Sequence, residues 1–103
     1  MYNKLVRDKI PDIIKNNGET PIIKILSDSE YKFALENKLQ EELNEVMRAK
    51  GNERIEELAD LLEVIIALAN IENKSFDDVN AIRILKKEKR GGFSKKIFLE
   101  DVK

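Results

Sequence analysis

Two stretches with helical periodicity, separated by a Gly-Asn pair, are the strongest constraint on how this chain folds. Apolar side chains recur every three or four positions in residues 28–50 and again in residues 53–70. This spacing places apolar side chains on one face of an α-helix. Gly51 and Asn52 interrupt the pattern, and both residue types commonly end helices. The sequence therefore predicts an antiparallel helical hairpin.

Capping and stop signals predict two shorter helices outside the hairpin. A first helix begins near residues 8–9, because Pro11 fits a first helical turn, and it ends before Gly18. A last helix begins at Ser75 and ends before Gly91. The two predicted helices flank the hairpin on either side.

Short β-rich segments complete the predicted fold. Isoleucines in residues 20–26 favour a strand, and residues 97–99 can pair with it. Ser27 with Glu30 then matches a capping box at the start of the first long helix. The predicted fold is a single domain over residues 1–103. It is mainly α, a helical hairpin of the four-helix-bundle type with a short N-terminal helix and small β elements.

One part of the second long helix is apolar on every side. Residues 64–69 contain no charged side chain, and a helix of this kind must be covered all round. A chain of 103 residues has few elements available to do this. We therefore expect oligomerisation to complete the core.

Composition and apolar patterning restrict the chemistry and the location. The chain has no cysteine and no histidine, which excludes disulfides, Ser-His and Cys-His catalysis and most zinc sites. The net charge is -1, so no overall field steers the protein to nucleic acid or membrane. The N-terminus has no signal-peptide pattern, and the longest apolar stretch is too short to span a bilayer. We expect a cytoplasmic protein with no membrane contact and no direct nucleic-acid binding.

Four acidic residues have a symmetric spacing about the predicted turn. Glu42 and Glu45 share one face of the first long helix, and Glu57 and Asp60 share one face of the second. Glu45 and Glu57 are equally far from Gly51, as are Glu42 and Asp60. In an antiparallel hairpin with axes roughly 8–10 Å apart, the two pairs can face each other as a square of four carboxylates.

The square has little charge relief from its own helices. No basic residue follows any of the four acids at the fourth position, and Lys38 and Arg54 offer only partial relief. Asp60 also lies in an apolar run, where an unpaired charge is costly. A divalent cation resolves both problems, and all-oxygen ligands favour Mg²⁺ or Mn²⁺. The alternative interpretation is a set of ordinary solvated acids on helix surfaces.

The acidic pattern and its flanks resemble a known enzyme superfamily. Residues 41–45 read EELNE and residues 57–60 read ELAD, which is similar to the EExxE…ExxD pattern of the all-α nucleoside triphosphate pyrophosphohydrolases. This superfamily includes MazG-like enzymes, dimeric dUTPases and the phosphoribosyl-ATP pyrophosphohydrolase of histidine biosynthesis. The segments KLVRDKIP at residues 4–11 and RGGF at residues 90–93 resemble a small phosphoribosyl-ATP-pyrophosphohydrolase-like branch.

The resemblance implies an activity and a set of roles. The implied reaction is Mg²⁺-dependent hydrolysis between the α- and β-phosphates of a nucleotide, which gives a nucleoside monophosphate and pyrophosphate. Glu41 corresponds to a neighbouring acid that holds a second ion or orients water. The family assembles as dimers or tetramers of helical hairpins. The residues that correspond to the metal ligands are Glu42, Glu45, Glu57 and Asp60.

Proton transfer and phosphate binding need further residues. Glu41 or Glu45 can accept the proton of the attacking water, and cations must offset the phosphate charge. Gly91-Gly92 offers backbone N–H groups to phosphate, although a simple helix stop explains it equally well. Surface charge is the alternative for each cation, and it is favoured for Lys86 and Lys87. The candidate substrate-binding residues are Lys4, Arg7, Lys9, Lys89, Arg90, Gly91 and Gly92.

Two other functions compete with a general nucleotide pyrophosphohydrolase that clears non-standard nucleotides. One is the specific phosphoribosyl-ATP pyrophosphohydrolase reaction, which the extra front and back segments disfavour. The other is a non-catalytic helical oligomer that binds a nucleotide or a metal. The complete set of four carboxylates argues against the second alternative, because a degenerate binder would be expected to have lost one.

Overall fold

The computed structural model describes residues 3–103, and within that range every regular element is a helix. The mainly α prediction is therefore confirmed. No helix in this range has the length and hydropathy needed to cross a bilayer. The four helices are α1 (Ile10–Asn16), α2 (Asp28–Arg48), α3 (Gly51–Ile71) and α4 (Phe76–Arg90).

The predicted capping signals fix where the helices begin. The Ser27 side chain accepts a hydrogen bond from the Glu30 backbone N–H, and the Glu30 carboxylate accepts one from the Ser27 N–H at 3.0 Å. Ser75 and Asp78 repeat this arrangement at the start of α4. These reciprocal bonds satisfy N–H groups that have no partner inside the helix. The predicted starts of α2 and α4 are confirmed.

The link between α2 and α3 differs from the predicted turn. It consists of Ala49 and Lys50, both extended, and Gly51 is already the first residue of α3. Gly51 has a φ of +59°, a left-handed conformation that glycine adopts without strain. The centre of the turn therefore lies between residues 49 and 50, earlier than the sequence predicted, and this changes which residues of the two helices face each other.

The two predicted strands are not formed by the described residues. Residues 20–26 and 97–99 have no regular secondary structure, and Ile22 and Phe98 are 99% and 87% exposed. A strand is stable only when its backbone N–H and C=O groups pair with another strand. β-branched composition supplies the propensity but not the partner, so the β prediction is wrong for this part of the chain.

The chain leaves much of its apolar surface exposed. Among residues 3–103 the buried apolar side chains are Leu35, Val46 and Val64, which lie on the α2–α3 hairpin. The chain exposes 9648 Å², whereas a folded monomer of 11.9 kDa exposes about 6,000 Å². Its radius of gyration is 17.9 Å, against about 13 Å for a compact chain of this length. The core of the isolated chain is therefore small.

Candidate metal centre

Three half-buried carboxylates come together where α2 faces α3. One oxygen from each of Glu42, Glu57 and Asp60 lies within 4.8 Å of the others. Glu42 and Glu57 are equally far from the centre of the Ala49–Lys50 link, so an antiparallel hairpin places them at the same level. Asp60 is three residues beyond Glu57 and shares its face. We call these three residues the acidic trio.

Glu45 lies outside the acidic trio, so the predicted square of four is observed as a group of three. Because the turn lies earlier in the sequence than predicted, Glu45 and Glu57 are not at the same height along the hairpin. The Glu45 carboxylate instead accepts a hydrogen bond from Arg48 at 2.9 Å. Glu45 still lines the same cavity as the trio, and its charge still acts on Glu57. Its predicted role as a fourth ligand stays a prediction.

The electrostatics of the trio centre on Glu57. Partial burial raises the pKa of the Glu57 carboxyl above its ordinary value, and the charges of Asp60, Glu42 and Glu45 raise it further. A hydrogen bond to Glu42 acts in the same direction, because it holds the proton on Glu57. Negative charge in the trio is therefore unfavourable unless a proton or a cation joins it.

Basic side chains relieve two members of the trio. Arg7 donates a hydrogen bond to Asp60 Oδ1 at 2.7 Å, and Lys38 Nζ lies 3.4 Å from Glu42. No ion pair between residues 3 and 103 includes Glu57. The partial relief predicted from Lys38 is confirmed. Arg7, predicted as a phosphate ligand, is directly bound to the trio.

An open cavity of about 340 Å³ lies over the trio. It brings together acids and cations from α2, α3 and the N-terminal segment. Besides the trio and Glu45, two more of the predicted site residues line this cavity. They are Lys4 and Glu41. The lining residues are Lys4, Lys38, Glu41, Glu42, Asn44, Glu45, Arg48, Glu57 and Asp60.

Several predicted substrate-binding residues lie away from this cavity lining. Lys9 is the N-cap of α1, and Lys89 and Arg90 are the exposed last residues of α4. Gly91 ends α4 with a φ of +82°, so the helix-stop interpretation of the Gly91-Gly92 pair is confirmed. The roles predicted for these residues in phosphate binding stay predictions.

Sequence reasoning missed Arg48 and Asn44 as cavity residues. The sequence has no basic residue four positions after any of the four acids, but Arg48 lies three positions after Glu45. Helical neighbours at both spacings share a face, so the three-residue spacing of Glu45 and Arg48 already indicates their contact. Asn44 has no comparable signal, because its hydrogen bond from Gln40 at 3.0 Å is ordinary for a helix surface.

Comparisons with known proteins identify a partial relative. An uncharacterized protein of Mycolicibacterium smegmatis is 52% identical over 46 residues, which is 45% of this chain and 47% of that protein. The match therefore spans about half the length of that relative. No family model matches the chain, and no solved structure matches it. The superfamily resemblance accordingly stays a prediction.

The raised pKa of Glu57 predicts how the metal-free protein responds to pH. The pKa of Glu57 in the folded state exceeds its value in the unfolded state, so protonation of Glu57 stabilises the fold. This stabilisation is complete below the ordinary glutamate pKa of about 4.3. It is lost as the pH rises through the raised pKa. We expect Glu57→Gln, which stays neutral, to raise the urea midpoint relative to wild type at pH 7 in EDTA, and to leave it nearly unchanged at pH 4.

The matched control for this prediction is Glu56→Gln. Glu56 neighbours Glu57 on α3 but is exposed and does not line the cavity. We expect this control to show no pH-dependent gain. A Glu57→Gln protein that is less stable than wild type at pH 7, or equally changed at both pH values, would contradict the electrostatic account of the trio.

Proposed function

We propose that the protein is a Mg²⁺-dependent nucleotide pyrophosphohydrolase of the MazG-like, all-α superfamily. It would cleave the α–β phosphate bond of a nucleoside triphosphate and release a nucleoside monophosphate and pyrophosphate. The observation that carries the proposal is the acidic trio, formed by three of the four residues that the superfamily pattern marks as metal ligands. The cations that line the same cavity support it further.

The donor set fits a small hard cation. Oxygen ligands around one Mg²⁺ lie at most about 4.2 Å apart, twice the usual Mg–O distance. The trio oxygens lie within 4.8 Å of one another, so binding one ion needs only small side-chain movements. Glu42, Glu57 and Asp60 would hold the ion, with Glu45 as a further ligand. Bound there, Mg²⁺ supplies screening of phosphate charge and a more acidic water. The same site can accept Mn²⁺.

Other side chains of the cavity would supply the proton transfer that hydrolysis requires. The oxygen of the attacking water forms a bond to the α-phosphorus while the bond to the bridging oxygen breaks, and pyrophosphate leaves with that electron pair. Glu41 or Glu45 accepts the proton of the water. Glu45 is oriented by Arg48, and Glu41 lies 3.8 Å from Lys38.

Phosphate binding is assigned to the cations around the trio. Lys4, Lys38 and Arg48 line the cavity, and Arg7 contacts Asp60. Phosphoryl-type transfer depends mainly on positioning and charge neutralisation, which these side chains provide. The substrate class we propose is the cytoplasmic pool of nucleoside triphosphates, with non-standard nucleotides as the targets.

We propose that the protein works as a homodimer or homotetramer. The exposed surface exceeds that of a folded monomer of this mass by about 3,700 Å². In α3, Ile65 remains 37% exposed although Val64 beside it is buried. A second subunit would cover this surface and complete the bundle that one chain leaves open.

The direct test is product analysis with a panel of substrates. The full-length protein is incubated with Mg²⁺ and standard triphosphates, non-standard triphosphates or phosphoribosyl-ATP, and pyrophosphate and monophosphate are measured. We expect equal amounts of the two products from at least one substrate, and none in EDTA. Absence of pyrophosphate with every substrate, or release of orthophosphate instead, would contradict the proposal.

A further inference from the structure

Residues 3–9, which we call the N-terminal segment, are tied to the acidic trio through Arg7. Arg7 donates a hydrogen bond to Asp60 Oδ1 at 2.7 Å, and the two side chains are 58% and 45% exposed. Ion pairs as exposed as this one are individually weak. The same segment brings Lys4 to the lining of the cavity over the trio. The N-terminal segment therefore holds positive charge where a metal ion would bind.

Little of the N-terminal segment is covered by the hairpin. It contains no helix or strand, and within it Leu5 is half-buried while the other side chains are exposed. The Arg7 C=O accepts a hydrogen bond from the Ile10 N–H at 3.0 Å, so a movement of Arg7 also moves the start of α1. No Cα atom of α1 lies within 8 Å of a Cα atom in another helix of the described chain. Segments with so few buried contacts separate from a fold at low cost.

Two basic side chains contact the trio, and together they carry the charge of one divalent cation. Arg7 lies on Asp60, and Lys38 Nζ lies 3.4 Å from Glu42. A divalent ion added to this arrangement would double the positive charge beside the trio, and both side chains would repel it. Lys38 has a second partner on its own helix, since Glu41 lies 3.8 Å away. Arg7 has no second carboxylate partner in the described range, so its displacement frees the N-terminal segment.

We propose that Arg7 takes the place of the metal ion at Asp60 in the metal-free protein, and that metal binding displaces Arg7 and releases the N-terminal segment. This exchange rests on the metal-binding part of the proposed function and adds a regulation of the same site; it does not require hydrolysis. The displaced guanidinium keeps its charge and is suited to bind the phosphates of a nucleotide. The N-terminal segment would then close over the cavity only when metal and nucleotide are both bound.

The affinity for Mn²⁺ distinguishes this exchange from a role of Arg7 in orienting Asp60. A side chain that competes with the ion weakens metal binding, whereas one that orients a ligand strengthens it. We expect Arg7→Gln to bind Mn²⁺ about threefold tighter than wild type, a ratio typical of an exposed ion pair. The measurement is the electron paramagnetic resonance signal of free Mn²⁺ during titration of the full-length protein.

The matched control is Lys9→Gln, which removes the same charge from the same segment. Lys9 forms no ion pair among residues 3–103, so this variant should bind Mn²⁺ with nearly the wild-type affinity. Unchanged or weaker binding by Arg7→Gln, or an equal gain in Lys9→Gln, would overturn the exchange. A wild-type protein that binds Mn²⁺ but releases no pyrophosphate would contradict the hydrolase proposal alone, and the same titration still decides the exchange.

Release of the N-terminal segment can be measured by spin labelling, because the chain has no cysteine of its own. Labels at Asp8→Cys and Glu56→Cys, both exposed positions, report the distance from the segment to α3 by pulsed electron paramagnetic resonance. We expect a narrow distance distribution in EDTA and a broader one in saturating Mg²⁺. Control labels at Glu36→Cys and Glu56→Cys lie on the hairpin and should give the same distribution in both. This test keeps Arg7, so it decides even if Arg7→Gln fails to fold. A segment distance that Mg²⁺ leaves unchanged would overturn the proposal.

Discussion

Glu57→Gln is expected to lower the rate of pyrophosphate release by at least about 100-fold, because it removes one of the three carboxylates that we propose bind the metal. Glu57 is the member of the trio that forms no ion pair among residues 3–103. A bound cation would therefore stabilise the charge of this side chain most. Glutamine keeps the shape of the residue and removes its charge. The measurement is the initial rate of pyrophosphate formation at saturating Mg²⁺.

The design of this variant separates catalysis from folding. Glu57→Gln should stabilise the metal-free protein at pH 7, for the electrostatic reason given above, so its loss of activity cannot follow from unfolding. Glu56→Gln changes charge by the same amount at the next position and should keep the wild-type rate. If Glu57→Gln retains wild-type activity, the trio is not the catalytic centre; if both variants lose activity equally, the effect is one of overall charge.

Leu35→Ala is expected to destabilise the fold by about 2–5 kcal/mol, the usual cost of removing a buried leucine side chain. Leu35 is 3% exposed and is one of three buried apolar residues in the described range. Domains of this size have a total stability of about 5–15 kcal/mol, so the loss is a large fraction. Urea unfolding followed by circular dichroism measures it, at one fixed protein concentration because association also contributes.

A matched surface substitution controls for the change in hydrophobicity. Ile22→Ala removes a branched side chain that is 99% exposed, and it should change stability by less than about 0.5 kcal/mol. A loss below about 1 kcal/mol for Leu35→Ala, or equal losses for the two variants, would show that α2 and α3 do not pack around Leu35 as described.

The features that the sequence predicted well are those that neighbouring residues decide. The starts of α2 and α4 follow from capping boxes whose members are three residues apart, and α4 ends at Gly91 as expected. The predicted strands do not form because strand pairing depends on distant residues, and Ile22 and Phe98 have no strand partner among residues 3–103.

The sequence predicts which residues belong to the candidate site, but not how α2 and α3 are aligned against each other. The sequence predicts Gly51 as the turn because glycine commonly ends helices, yet Gly51, with its positive φ, is the first residue of α3. That difference replaces the predicted square with Glu42, Glu57 and Asp60 and leaves Glu45 with Arg48. The contact between Arg7 and Asp60 joins residues 53 positions apart, and no local pattern indicates it.

Binding of Mn²⁺ to the full-length protein, followed by the electron paramagnetic resonance signal of the free ion, tests the metal centre most directly. We expect the wild-type protein to bind Mn²⁺, and we expect Mg²⁺ to displace it. We expect the affinity for Mn²⁺ to be at least about tenfold weaker in Glu57→Gln and unchanged in Glu56→Gln. Equal Mn²⁺ binding by Glu57→Gln and wild type, or none by wild type, would contradict the assignment of Glu42, Glu57 and Asp60 as a metal site.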